Sequence, residues 1–204
     1  MTFKIKYVII IKKEVIEIIY FISDTHFYHR AVISYCHRPF ASVEEMNETL
    51  INNWNKTVKN TDIVYFLGDF SFSNAENNRE VCRRLNGHKI ILRGNHDRSG
   101  GEIHWKKIGF DEVIDGEQKL YYIDKDCNMR YVVISHEPKY VRSDEFNIHG
   151  HIHDALVEND YPSMSPKNHL CVCVERINYT PISFEEIQKK YLEKFFKKEG
   201  NEEC

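Results

Sequence analysis

A chain of 204 residues, 42% hydrophobic and 29% charged, has the composition of a folded domain with a sizeable core and excludes a disordered or low-complexity chain. Its formal charge of −3 argues against broad capture of a nucleic-acid backbone and leaves at most a local basic patch. The longest early apolar run, residues 7–11, is too short for a signal-peptide core or a membrane span, and six cysteines without a CxxC pair suggest free thiols in a reducing, cytoplasmic setting.

Residues 1–15 read as an N-terminal extension or an extra strand, and residues 16–204 as one domain. A β-rich run over residues 18–22 opens the domain and ends at Asp24-x-His26. Ser42, with Glu45 three positions on, forms a capping box for a helix carrying Met46, Leu50, Trp54 and Val58 on one face. A strand over residues 62–67 ends at Gly68-Asp69, and a polar-faced helix over residues 74–85 is closed by Asn86-Gly87. A third strand, residues 88–92, ends at Gly94-Asn95-His96-Asp97. After Gly100-Gly101 the chain turns to short strands around Val113, residues 119–123 and residues 130–134, with a hairpin turn at residues 124–128. His136 follows the last of these, and Gly150-His151-x-His153 follows a weaker run at residues 146–148. A polar loop leads to a strand at residues 170–175, where Cys171 and Cys173 share one face and read as small core residues, a chelating CxC being the sharper alternative. Pro181 and Ser183 start a final helix rich in Lys and Glu.

Five polar clusters therefore follow five apolar, β-rich runs in order. Strand ends deliver side chains distant in sequence into one crevice. Two Asp, one Asn and several neutral imidazoles make a mixed oxygen and nitrogen donor set larger than one divalent ion needs, which points to a pair of ions. Each cluster alone is ordinary turn or core chemistry; their ordered recurrence is what carries the metal reading.

Asp24-x-His26, Gly68-Asp69, Gly94-Asn95-His96-Asp97, His136 and Gly150-His151-x-His153 together resemble the signature of the calcineurin-like metallophosphoesterases. Residues 27–40 and the ending from Asn178 also look like the small stand-alone bacterial and phage enzymes of that superfamily. The resemblance implies an α/β fold with two mixed β-sheets packed as a sandwich and helices outside. It implies one ion held by Asp24, His26, Asp69 and His153 and a second by Asp69, Asn95, His136 and His151, with Asp69 bridging. The donor types suit manganese or iron first and zinc as the alternative. The family gives His96 to the leaving group, and Asp97 is expected to orient or charge that imidazole. His29, Arg30, His37 and Arg38, just after the first cluster, are candidates for the substrate face. Where many relatives carry an acid or histidine three residues after the Gly-Asp aspartate, this chain has Phe72.

The function implied is metal-dependent hydrolysis of a small phosphate ester, with a phosphodiesterase acting on substrates such as cyclic nucleotides favoured. A phosphomonoesterase, a phosphoprotein phosphatase and a nuclease are the enzyme alternatives. A catalytically inactive scaffold of the same fold is the non-enzyme alternative, disfavoured because His96 and every metal position are present.

Overall fold

The computed structural model describes residues 17–199, so the expected N-terminal extension or extra strand at residues 1–15 lies outside the described residues. Among the described residues nine strands form two sheets. The first runs β4-β3-β2-β1-β9 and the second β5-β6-β7-β8.

In the first sheet β1 (Ile19–Ile22), β2 (Ile63–Phe66), β3 (His88–Leu92) and β4 (Glu112–Ile114) are parallel, while β9 (Ile182–Ser183) pairs antiparallel with β1. In the second, β5 (Gln118–Ile123) and β6 (Met129–Ile134) form an antiparallel hairpin, and β7 (Asn147–His149) and β8 (His169–Cys171) continue parallel to β6. Both sheets are mixed.

Side chains alternate across a strand, and the sequence uses both faces of the first sheet. Phe21, Tyr65, Leu67, Ile90 and Leu92 face Leu120, Val132, Ile134, Ile148 and Val172 of the second sheet, which makes the interior of a sandwich. Tyr20, Ile22, Val64, Phe66 and Ile91 point the other way, onto Met46, Leu50, Trp54, Val81, Trp105 and Ile108. Those partners come from the outer helices α2 (Val43–Thr57), α3 (Ala75–Arg84) and α4 (Gly101–Ile108). Burying both faces of parallel strands explains why they read as continuous apolar runs.

The helix ends follow local chemistry. Ser42 accepts the Glu45 N–H at 3.1 Å, and the Glu45 carboxylate reaches back to the Ala41 N–H at 2.7 Å, one residue before the N-cap. Asn74 caps α3 through the N–H groups of Glu76 and Asn77. Ser183 caps a final helical stretch made of α6 (Phe184–Ile187), a π-helical turn over Gln188–Leu192 and α7 (Glu193–Glu199).

Two helices differ from the sequence reading. A short α1 (Arg30–Tyr35) lies inside the segment after the first cluster, and α4 starts at Gly101 with Gly100 as its N-cap, where a loop is the natural reading. Both glycines adopt positive φ, 90° and 63°, and the helix is held by Trp105 and Ile108 buried in the outer core. A four-residue helix, α5 (Val157–Asp160), interrupts the polar loop before β8. None of the described helices is long and apolar enough to cross a membrane.

Candidate metal centre

All five cluster-bearing strands, three from the first sheet and two from the second, end on the same side. The two sheets meet there through Ser23, whose N–H donates to the Val172 carbonyl at 3.0 Å and whose carbonyl accepts from Val174 at 3.2 Å. The loops after β1 and β2 run side by side, with the N–H groups of Asp24, His26 and Phe27 donating to the carbonyls of Gly68, Asp69 and Phe70. Asp24, His26, Asp69, His151 and His153 all take positive φ, between 48° and 72°. Asp and His tolerate this region better than most residues, yet each such backbone costs on the order of 1–3 kcal/mol and persists where surrounding contacts fix it.

Two glycines show how closely the chain approaches itself. A Cβ on Gly94 would lie 2.1 Å from the Asp69 Oδ1, and one on Gly150 would lie 2.3 Å from the Asp24 Oδ2. Glycine at these places lets backbone press against the two buried carboxylates.

The donor atoms converge in two groups. In the first, Asp24 Oδ1 lies 3.8 Å from both His26 Nε2 and His153 Nε2, and Asp69 Oδ2 lies 3.8 Å from His26 Nε2. In the second, His136 Nε2 is 3.5 Å from the same Asp69 oxygen, 2.9 Å from Asn95 Oδ1 and 3.2 Å from His151 Nδ1, while Asn95 Oδ1 is 3.1 Å from His151 Nδ1. Donors each about 2.1 Å from a shared ion lie about 3–3.8 Å from one another, so both groups fit a divalent cation. Asp24 Oδ1 is fully buried with no hydrogen-bond partner, as a ligand oxygen reserved for an ion would be. Its other oxygen is saturated by the Ser23 hydroxyl at 2.5 Å, the His151 N–H at 2.9 Å and the Cys173 thiol at 3.1 Å.

Electrostatics agree with that fit. Burial pushes the Asp24 carboxyl up, but the imidazoles of His136, His153 and His26 and the Ser23 hydroxyl outweigh it and hold the group down at about 2. Burial takes His26 down to about 3 against the pull of Asp24. Burial also opposes charge on His153, yet hydrogen bonds with Cys36 and Glu175 and the nearby Asp24 raise it to about 11. An ionised Asp24 beside a neutral His26 is a pair in the form that donates to a cation, while burial pushes the Asp69 carboxyl up.

The imidazoles are oriented from behind. His136 Nδ1 lies 2.8 Å from the Leu67 carbonyl, which turns Nε2 inward, and His153 Nδ1 lies 3.1 Å from Glu175 Oε1. Glu175 is in turn held by Arg38, Nε to Oε1 at 2.8 Å. Cys36 joins His153 and Glu175 in a third group whose ligand atoms lie within 4.8 Å of one another. Sequence reasoning missed Glu175, which stands 22 residues from His153 and carries no motif; its place at the end of the residue 170–175 run was the one available signal.

Two expectations are corrected by these contacts. Arg38 does not face a substrate. It is buried, donating to the carbonyls of Thr25 and Asp24 at 2.8 and 2.7 Å as well as to Glu175, so its guanidinium braces the first loop from within. Asp97 does not orient the His96 ring. Its Oδ2 accepts from the N–H groups of Asp69 at 2.6 Å and Gly94 at 2.9 Å, and its Oδ1 from Phe70 at 3.1 Å. It is a fully buried staple between two ligand loops, and burial, with the neighbouring Asp69 charge, pushes its carboxyl up to about 6 despite those three donors.

Of the other candidates, His96 is exposed at the rim with Nε2 3.9 Å from Asp69 Oδ2. His29 sits beside it, half-buried against Phe72, while Arg30 and His37 are exposed and Arg30 lies near Glu44. Cys173 is buried under Asp24, Cys171 is half-buried and donates to the His153 carbonyl at 3.6 Å, and His149 is buried with Nδ1 2.9 Å from the Gly150 carbonyl.

A sandwich of two mixed sheets with such a histidine and carboxylate crevice at its strand ends defines a class of metal-dependent hydrolases. The chain matches the calcineurin-like phosphoesterase family over residues 18–202 and belongs to it. It is 41% identical over 174 residues to the uncharacterized protein MJ1445 of Methanocaldococcus jannaschii, covering 84% of this chain and 89% of that one. A crystal structure of AQ665, a protein of unknown function from Aquifex aeolicus, shares the fold with a TM-score of 0.64 and 28% identity, over 85% of this chain and 98% of that one. The protein is accordingly a metal-dependent phosphoesterase.

Proposed function

We propose that the protein is a dinuclear phosphodiesterase acting on small diesters such as cyclic nucleotides. One ion would be held by Asp24, His26, Asp69 and His153, the other by Asp69, Asn95, His136 and His151. The observation that carries this reading is the position of Asp69 Oδ2, one carboxylate oxygen lying 3.8 Å from the His26 Nε2 and 3.5 Å from the His136 Nε2 of the two groups. A carboxylate there offsets the repulsion of two cations, and Asn95 adds a neutral oxygen. Manganese or iron suits this nitrogen and oxygen set, with no thiolate among the donors. When bound, the ions activate water and neutralise charge on the phosphoryl oxygens.

The chain itself supplies the rest. His96 stands at the exposed rim, close to the shared oxygen but outside both donor groups. From there its imidazole delivers a proton to the departing alkoxide. A diester brings one negative charge and an alkoxide that needs this proton; a monoester dianion would bring a further charge and oxygen to compete for the same donor-lined crevice. The free cysteines of the described residues fit a reducing, cytoplasmic setting.

The test is a paired comparison with the manganese-loaded protein. His96→Ala should keep its metal and lose roughly 100-fold to 10,000-fold in rate on a diester with a poor leaving group, with a smaller loss on a nitrophenyl ester. Equal losses on both would remove the proton-donor role. Across bis-nitrophenyl phosphate, a 2′,3′-cyclic nucleotide and nitrophenyl phosphate, kcat/KM should favour the diesters. A monoester preference above about tenfold, roughly 1.4 kcal/mol of discrimination, would rule out the phosphodiesterase reading and leave the phosphoesterase class intact.

A further inference from the structure

Phe72, the residue that departs from the superfamily's usual acid or histidine, is 58% exposed and stands against the candidate centre. Its ring stacks on His29 with centroids 4.5 Å apart and planes at 22°, and it meets His96 edge-on at 5.7 Å. His26 closes the group, 5.6 Å from His29 and 5.5 Å from His96. Four rings thus form a continuous wall from the Asp24, His26 and His153 donors to solvent. Tyr35, 74% exposed, extends it at 6.3 Å from His29.

A single exposed aromatic side chain is ordinary. Two on one side of the centre, Phe72 in ring contact with His29 and His96 and Tyr35 with His29, are not explained by the core, which neither ring enters. The wall is also held in place. The Phe72 N–H donates to the Phe27 carbonyl at 2.9 Å and Phe27 pairs with Ser71, so both loops carrying the rings are tied by backbone hydrogen bonds. Rigid aromatic faces at these separations stack planar partners, and a base has a π-face whatever its sequence.

We infer that the Phe72 and His29 wall, extended by Tyr35, is a stacking subsite for the nucleobase of a nucleotide substrate. The phosphate lies at the donor groups, the ribose passes His96, and the base covers the exposed face of Phe72. This deepens the proposed function and rests on its placement of the phosphate.

The experiment reads binding without turnover. Calorimetry on the manganese-loaded protein compares AMP with ribose 5-phosphate, which lacks the base. AMP should bind more tightly by roughly 5-fold to 150-fold, the range of a single base–aromatic stack. Phe72→Ala should collapse that preference, and Phe72→Trp should keep it. Tyr35→Ala, at the outer edge, should reduce it partly. If AMP binds no better than ribose 5-phosphate, or if neither binds, the subsite is overturned; so is it if Phe72→Ala keeps the full preference. Failure of the phosphodiesterase reading shows separately, as absence of diester turnover by protein that still prefers AMP.

Discussion

The two sheets contribute unlike things to one crevice. For the two candidate donor groups, the first, largely parallel sheet supplies the oxygens of Asp24, Asp69 and Asn95, together with His26. The second supplies imidazoles only, from His136, His151 and His153. The loops of the first sheet are stapled by a buried charge, the Asp97 carboxylate accepting from three backbone N–H groups. The corresponding staple in the second sheet is neutral. The fully buried Asn147 accepts from Lys139 N at 2.9 Å and donates to the Val133 carbonyl at 2.9 Å and the Ser135 hydroxyl at 3.0 Å. The anionic donors are thus concentrated in one layer, while left-handed ligand turns occur in both, at Asp24, His26 and Asp69 on the first and at His151 and His153 on the second.

That division predicts unequal damage. Asp69→Asn in the first sheet should empty both metal positions, because a neutral amide cannot balance two dications at close range, whereas His136→Ala in the second should empty mainly one. Elemental analysis of the purified variants checks it, and two full metal equivalents in Asp69→Asn would break the bridging assignment. Next in size is Asp97→Ala. It leaves three N–H groups without their acceptor in a fully buried place, at about 1–3 kcal/mol each before relaxation. A loss of about 3 kcal/mol lowers the melting temperature of a domain this size by roughly 6–12 °C. An unchanged Tm would mean the loops hold their turns without the staple.

Glu175→Gln probes the seam between the sheets. It weakens the hydrogen bond that orients His153 and should lower affinity at the first ion position by about 10-fold to 100-fold, the usual effect of losing an outer-shell partner. Titration against a competing chelator reads this directly, and the second position should move little. Equal weakening at both would show that Glu175 acts through the fold and not through His153.

Much of this was legible because the motifs follow strands. The β-rich runs before Asp24, Asp69, Asn95 and His136 fixed where strands end, and Ser42 with Glu45 marked the start of α2 through chemistry local to one turn. Where the reading failed, the deciding forces were not local. α1 is six residues of Arg, Ala, Val, Ile, Ser and Tyr, too short and too β-branched to announce a helix. α4 begins on the second of two glycines, and the burial of Trp105 and Ile108, with the indole donating to the Asp97 carbonyl at 2.8 Å, explains it. Arg38 and Asp97 mislead for a related reason. An arginine after a ligand motif looks ready for phosphate, and an aspartate after a histidine looks ready to orient it, until burial shows which backbone groups each one satisfies. Charge is visible in a sequence, but the desolvation that redirects it is not.

The smallest expected effect sharpens the contrast between the two staples. Asn147→Ala removes a neutral amide from the second sheet, so no charge is left unbalanced and one backbone N–H, that of Lys139, loses its acceptor. The Val133 carbonyl and the Ser135 hydroxyl each lose a donor, and an acceptor short of one donor is tolerated better than a buried N–H without its acceptor. A cost of about 1–2 kcal/mol is expected, roughly 2–8 °C in Tm, below that of Asp97→Ala. Metal content should stay at two equivalents, because His136 is oriented separately through the Leu67 carbonyl of the first sheet, at 2.8 Å from its Nδ1. The decisive measurement is metal stoichiometry alongside Tm. Should Asn147→Ala empty the second position as thoroughly as His136→Ala, the amide would be holding the ligand and not merely the loop after it, and the second sheet would depend on its staple as heavily as the first.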